Sequence, residues 1–312
     1  MLKIEAQKSL NFNDLSPLQF GWDFSVSQLG PSEDESIVRL FQTDHLGYNS
    51  FRYGSAYDQQ LAVKKGIVSF GLLEPDNPVT WAHDQVIPND ALIVFPHDEA
   101  FKAVSPIGFR GNGMSFSEPF MERVAEQAFR LPLSMLLPTA GIYAPSPSKL
   151  EVVRAELRKW HQLVDQGAEN RPSIILRREE SLALAILEAL FDAMHIEKDV
   201  DKKSSCATTR ALEMIHASDL ETVSATELCR HAACSQRTLE KSFLQRFGVT
   251  PKKYIKLLRL AEVHKGLRLF GSQNYSSIIE LASQHGFWHM GQFAADYRTV
   301  YGELPSETLS RS

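Results

Sequence analysis

The sequence predicts an α+β multidomain fold: an N-terminal β-barrel module with a helical pair, then a C-terminal all-α domain made of two duplicated units. Three observations predict it. Short apolar runs bounded by turn residues fill about 13–117, apolar residues recur every three or four positions from 150 to 194, and residues 205–312 repeat a pattern within themselves. A chain of 312 residues suits such a division, because single cores seldom grow far past about 250 residues.

In the first part, Ile37–Phe41, Ile67–Leu73 and Ala91–Phe95 read as strands. They are separated by the turn signals Leu29–Glu33, Glu74–Pro78 and Ile87–Asp90, which hold Gly, Pro, Asn and Asp. Many short strands at regular spacing argue for a small barrel or sandwich. Its aromatic residues Trp22, Trp81, Phe95, Phe101 and Phe109 are candidates to line a ligand pocket, although such residues more often fill a core. Arg52 and Arg110 are the candidate anion-binding residues there. His83 and His97 fall in the same module, but no His-x-His with a following Glu is present, so neither a metal nor another cofactor is expected.

Helical periodicity follows. Leu150, Val153, Leu157, Trp160 and Val164 form one stripe, and Leu184, Leu187, Phe191 and Met194 form another, with Gln166–Pro172 between them. These amphipathic helices are expected to pack on the barrel and to supply a homodimer seam. The charged stretch around 197–205 reads as a linker. The expected divisions are therefore 1–148 (β-rich), 149–196 (helical), 197–205 (linker) and 206–312.

Composition narrows the functional classes. A hydrophobic fraction of 43% excludes a wholly disordered chain. No apolar run approaches the ~20 residues that span a bilayer, and the N-terminal stretch has no apolar secretory core. Three cysteines form no disulfide framework, which fits a reducing cytoplasm. The net charge of −5 taken alone disfavours nucleic acid, but it is unevenly held. Residues 1–204 carry 20 Lys and Arg against 28 Asp and Glu, whereas 205–312 carry 13 against 10. The two parts are expected to meet different partners.

The repeat is the most informative feature. At an offset of 54, Leu239, Phe243, Phe247, Gly248 and Pro251 match Phe293, Tyr297, Tyr301, Gly302 and Pro305. Upstream the offset is 53, aligning Leu228 with Leu281 and Ala233 with Gly286, so a one-residue slip falls in the turn. Each copy reads as helix, tight turn, helix, over about 222–248 and 275–302. In copy one, Thr222 or Ser224 caps the first helix, Ser235 caps the second and Gly248 ends it. Leu239, Phe243, Leu244 and Phe247 are expected in the core, while Arg237, Glu240 and Lys241 point outward. A helix from Pro251 to Leu269 joins the copies, with Tyr254, Leu257, Leu258, Ala261 and Leu269 on its apolar side. These are two helix-turn-helix modules on a linker helix, and the second helix of such a module can enter a DNA major groove.

At these residues the chain resembles the AraC/XylS transcription regulators. The resemblance runs from about Thr209 to Leu309 and rests on Leu228–Ser235, Thr238–Phe243, Phe247–Pro251, the linker helix, Leu281–Phe287 and Tyr301–Pro305. It implies a cytoplasmic regulator, an activator, that binds double-stranded DNA and works with RNA polymerase. It also implies a cupin-like N-terminal sensor for an unknown small-molecule effector, a homodimer and no membrane association. The implied DNA-facing set in copy one is Ser235, Gln236, Arg237, Glu240 and Lys241. Arg237 suits guanine, Glu240 a cytosine amine, and Lys241 guanine or phosphate. In copy two the set is His289, Met290, Gly291, Gln292 and Ala295, joined by Ala294 and Arg298. Here apolar contact to thymine methyls and backbone anchoring replace hydrogen-bonded readout.

Two alternatives stand beside this reading: a cupin-type metal-dependent enzyme or carrier with a DNA-binding tail, and a regulator whose β module only dimerises. Cys229 and Cys234 flank His231, yet they read as small hydrophobes, because a fourth metal ligand is missing. No nucleophile motif, phosphate loop or carboxylate pair supports catalysis, so the chain is not expected to be an enzyme.

Overall fold

Strand alternation and turn residues build the N-terminal part from two antiparallel sheets, as seen in a computed structural model. It describes residues 3–9, 21–82, 85–97, 99–165, 172–195, 206–217, 220, 223–270 and 278–311. The expected linker at 197–205, His83, Thr222, residues 275–277 and most of the 166–172 connection lie outside the described residues. The first sheet joins, in spatial order, β1 (Lys3–Ser9), β3 (Ser36–Gln42), β4 (Leu46–Arg52), β11 (Arg110–Ser117), β6 (Ile67–Leu73), β9 (Leu92–Val94) and β12 (Gly141–Tyr143). The second joins β2 (Trp22–Gln28), β5 (Tyr57–Val63), β10 (Phe101–Ser105), β7 (Thr80–Ala82) and β8 (Gln85–Ile87).

Side chains alternate across each strand, and both faces of the first sheet are covered. Leu40 points between the sheets with Trp22, Tyr53, Phe95 and Phe101. Its neighbour Phe41 points outward with Tyr48, Phe70 and Phe116, under the helices that follow. Burial on both faces is why β6 reads as an almost continuous apolar run.

Four helices cover that outer face: α1 (Glu118–Phe129), α2 (Leu133–Leu136), α3 (Pro147–Asp165) and α4 (Pro172–His195). Leu150, Val153, Leu157 and Trp160 of α3 are buried, and Trp160 stacks on Phe41 with ring centroids 4.9 Å apart. The α4 stripe read from sequence is offset from the buried face. Leu187 is buried and Leu184 half-buried, but Leu182, Ala183, Ile186 and Leu190 supply most of the core face. Phe191 and Met194 stay exposed, because α4 packs against α1 as well as α3 and its buried arc centres on a different line.

The C-terminal part holds α5 (Cys206–Ala217), α6 (Ala225–Ala232), α7 (Gln236–Phe247), α8 (Pro251–Phe270), α9 (Ile278–Gln284), α10 (Met290–Tyr301) and α11 (Pro305–Ser310). α7 and α10 are related residue for residue by the offset of 54. The slip sits between the left-handed turn residue and the next helix's N-cap. Ala233 (φ 51°) precedes Ser235 by two positions, whereas Gly286 (φ 77°) precedes His289 by three. The linker helix α8 is less one-sided than its sequence suggests. Ile255, Leu260, Val263, His264 and Leu267 are buried in addition to Tyr254, Leu257, Leu258 and Ala261. It serves both modules and also meets β2 of the barrel. Among the described residues no helix is long and apolar enough to cross a membrane.

Candidate nucleic-acid interface and barrel cavity

Local chemistry fixes the first recognition unit. Ser224 caps α6 through a reciprocal box, its hydroxyl accepting from the Glu227 amide while the Glu227 carboxylate accepts from the Ser224 amide. Ser235 then caps α7, accepting from the Thr238 amide at 3.1 Å, and Gly248 closes that helix with φ 69°. Leu239, Phe243 and Phe247 are buried. They leave Ser235, Gln236, Arg237 and Lys241 exposed along the outer side of α7. Glu240 is half-buried and accepts from Gln236 Nε2 at 2.9 Å, which orients its carboxylate along the helix.

Leu244 departs from expectation. It is 50% exposed, and Arg246 takes a buried place in the last turn of α7 instead. Leu244 lies three and four residues beyond Lys241 and Glu240, and so shares their outward face. It adds an apolar element to the surface that carries the charged set.

The second unit offers a plainer surface. His289 occupies the N-cap of α10 without a side-chain capping bond. Gly291, Gln292, Ala295 and Arg298 are exposed, Ala294 is half-buried, and Met290 is half-buried against the domain core. Gln292 donates to Asp296 Oδ1 at 3.1 Å, and Lys256 of α8 pairs with Oδ2 of the same residue at 2.9 Å. Trp288, in the turn before α10, is 73% exposed. The sequence reading places Leu244 in the core and does not single out Trp288; the signal available for Trp288 is a large apolar residue in a turn.

Cys229 and Cys234 are half-buried against the same core, and burial pushes the Cys234 thiol up. His231 is exposed between them. Among the described residues no three His, Cys, Asp or Glu side chains group as metal ligands would.

A cavity of about 90 Å³ lies between the two sheets of the barrel. Trp22, Phe95, Phe101 and Phe109 line it, together with Asn49, Phe51 and Gln59. Trp81 does not line it and packs instead toward the C-terminal core. Arg52 and Arg110 also lie away from it, contrary to expectation. They are register partners at the ends of β4 and β11 and reach outward to Asp34 (2.6 Å) and Asp76 (2.7 Å). With the guanidinium groups held by carboxylates at the exposed sheet margin, the lining contains no arginine. His97 is exposed.

The barrel and the C-terminal helices share a tight contact. Tyr254 of α8 donates to Asp58 Oδ2 at 2.5 Å, and Gln28 Nε2 donates to the Val300 carbonyl at 2.8 Å. Leu29 and Val104 of the barrel enter the C-terminal core. Val300 and Arg246 are related by the offset of 54, so the last turns of α7 and α10 are corresponding points. Burial raises the Asp58 carboxyl to about 6.

Residues 228–311 match the family described as a helix-turn-helix domain. This part of the chain is an AraC-type helix-turn-helix domain. The chain is 33% identical over 149 residues to the XylDLEGF operon transcriptional activator of Pseudomonas putida, covering 47% of this chain and 46% of that protein. It is 29% identical over 99 residues to a probable thc operon regulatory protein of Rhodococcus erythropolis, covering 32% and 30%. The chain thus spans about half, or less, of the length of these curated relatives. A solved structure of a probable AraC family transcriptional regulator from Rhodopseudomonas palustris CGA009 is 32% identical. It covers 34% of this chain and 95% of that one, with a TM-score of 0.32. Within the AraC-type domain, the matched residues take in α7, α8 and both helices of the second unit.

Proposed function

We propose that the chain is a sequence-specific DNA-binding transcription regulator, an activator controlled through its barrel module. One observation carries the reading. Two helices of identical length that each end on a left-handed glycine, α7 and α10, present solvent-facing outer sides from the two units joined by the 20-residue helix α8. Such a helix is about 30 Å long, close to the ~34 Å between successive major-groove segments on one DNA face.

In this reading Arg237, Glu240 and Lys241 read bases, Ser235 and Gln236 position the start of α7, and Leu244 meets thymine methyl groups. His289, Met290, Gly291, Gln292 and Ala295 form the second contact, weighted toward shape and backbone. The barrel cavity receives a small-molecule effector, and RNA polymerase is the protein partner in the cytoplasm. A homodimer forms through the outer sides of α3 and α4, where Val152, Ile174, Leu176, Phe191 and Met194 are exposed. The reading gives the chain no catalytic role.

The test is genome-wide mapping of DNA bound by the full chain, followed by titration of the recovered site against salt. Phosphate contacts release counterions, so the logarithm of affinity should fall linearly with the logarithm of salt concentration. Failure to recover a shared sequence, or an affinity indifferent to salt, overturns the proposal.

A further inference from the structure

The cavity owes its existence to one row of the first sheet. Asn49 of β4 pairs with Gly113 of β11, Gly113 with Gly71 of β6, and Gly71 with Ile93 of β9. All four residues line the cavity. Two adjacent glycines therefore remove two side chains from a row that would otherwise fill the space between the sheets. At Gly71 the gap is partly taken up, since an added Cβ would meet Phe95 at 3.0 Å and Ile93 at 3.2 Å. At Gly113 it is open: the nearest atoms to an added Cβ, on Asn49 and Phe51, are 3.9 Å away.

The polar groups around this space are nearly all committed. Gln59 accepts from the Tyr53 hydroxyl at 2.8 Å and donates to Ser105 at 2.5 Å. Asn112 accepts from Tyr48 and donates to Glu74, and Thr80 is bonded to Asn77 and to the Pro78 carbonyl. Trp22 Nε1 donates to Ser115. Asn49 differs. Its residue is 8% exposed and lines the cavity, and among the described residues no group is bonded to its carboxamide. The carboxamide borders the cavity space, where a ligand's polar group can bond it.

None of the lining residues is charged. A bare carboxylate or ammonium placed there would be desolvated without a counter-charge, at a cost that drives such groups to neutralise instead. Glu74, which accepts from the lining residue Asn112, repels an anion further. The walls are Trp22, Phe51, Phe95, Phe101 and Phe109, which suit an apolar body.

From these observations we infer that the barrel cavity is a binding site for a small, uncharged, mainly apolar molecule. The molecule is a single ring or a short chain carrying one neutral hydrogen-bonding group, which meets the carboxamide of Asn49. This deepens the effector reading above and rests on it. The size bound follows from the volume of about 90 Å³: an engineered apolar cavity of about 150 Å³ takes up benzene, so a single ring is the upper limit and requires the walls to move outward by about 60 Å³.

The experiment titrates the full chain with benzyl alcohol and, separately, with benzoate, which matches it closely in size but carries a charge. Binding is read by calorimetry and by the rise in unfolding temperature that selective binding to the folded state produces. Benzyl alcohol should bind and raise the temperature, and benzoate should bind at least tenfold more weakly. Gly113→Val, which places a side chain in the open gap, should abolish binding while its own unfolding remains cooperative. Asn49→Leu should retain toluene binding but lose most of the preference for benzyl alcohol over toluene. Benzoate binding as tightly as benzyl alcohol overturns the neutral-ligand inference and leaves the effector reading standing. If none of the three probes binds, or if Gly113→Val folds and still binds, the cavity is not the ligand site and both fail.

Discussion

The Tyr254 hydroxyl of α8 donates to Asp58 Oδ2 of β5 at 2.5 Å, and the next residue of that strand, Gln59, lines the barrel cavity. Adjacent residues of a strand face opposite ways. One strand therefore presents a side chain to the cavity and another to the linker helix of the helix-turn-helix domain. A shift of β5 by a ligand would move both, which gives the proposed effector control a physical route.

Docking should depend on pH through Asp58. Burial raises its carboxyl to about 6 from the ordinary 3.8, against the opposing pull of the Tyr254 hydrogen bond, Arg246 of α7 and Lys102 of β10. The docked state binds the proton more tightly than an exposed Asp58 would. The contribution to docking is therefore complete below about pH 4, lost as pH rises through about 6, and flat above that. The full span is about 3 kcal/mol at roughly 1.4 kcal/mol per unit. Hydrogen exchange in β5 and α8, corrected for intrinsic rates, should show stronger protection at pH 5 than at pH 7.5. Asp58→Asn should remove most of that difference. Equal protection of the wild type at the two pH values would sink the idea.

Ala233→Gly should stabilise the C-terminal domain. Ala233 sits in the left-handed region at φ 51°, which costs a residue with a side chain about 1–2 kcal/mol. Glycine avoids that cost but gives back about 0.4–1 kcal/mol through the freedom it adds to the unfolded chain. A net gain of about 0.5–1 kcal/mol is expected, read as a higher urea midpoint at unchanged slope. The second unit already has glycine at the matching position, so Gly286→Ala should move the midpoint the other way.

How much of this was legible in the sequence depends on whether a residue's role is set locally or by distant packing. The helix boundaries of the duplicated units follow from Ser224, Ser235, Gly248 and Gly302, whose effects act within one turn of the chain. β6 was legible as a strand because an apolar run between turn residues has few other uses. The row of Asn49, Gly113, Gly71 and Ile93 was not, since four residues from four strands become neighbours only through register. The position of Arg52 and Arg110 failed for the same reason: the sequence shows two cations in a β module and says nothing of Asp34 and Asp76 waiting beside them. Leu244 faces solvent where periodicity predicts core, because periodicity does not fix the edge of a helix face and Arg246 takes the buried position beside it.

The outward side of α7 should separate base reading from backbone anchoring. Arg237 and Lys241 are exposed and Glu240 is oriented by Gln236. Arg237→Ala should relax preference at one base position, with a loss of about 1–3 kcal/mol against the preferred base. Arg298→Ala, on the plainer second unit, should weaken all sequences alike and lower the salt slope by about one. Leu244→Ala should cost little stability, because the side chain is half in solvent, yet reduce affinity for sites with thymine beneath it. Selection from a random-sequence DNA pool with each variant gives the comparison. A uniform loss for Arg237→Ala would reassign that residue to phosphate.

The core of the second unit should weaken in acid through His264. Its Nδ1 lies 2.6 Å from the Tyr297 hydroxyl, which in turn lies 2.8 Å from Thr308 Oγ1, so α8, α10 and α11 meet in one buried network. The imidazole also stacks on Tyr301 at 4.2 Å between centroids. Burial, with a smaller push from Arg268, lowers its pKa from 6.5 to about 3. The folded domain holds the neutral ring, whereas the unfolded chain takes up a proton below about 6.5. Stability from this group is therefore complete above pH 6.5 and declines as pH falls toward 3, at up to about 1.4 kcal/mol per unit. Urea midpoints read by helical circular dichroism should fall between pH 7.5 and pH 5. His264→Phe, which keeps the stacking and removes the titration, should be less stable than wild type at pH 7.5 but should narrow the gap at pH 5. The Asp58 effect has the opposite sign, so the chains with and without His264→Phe are compared in the Asp58→Asn background. A gap that stays constant across this range would show that His264 does not titrate on unfolding in the way its burial requires.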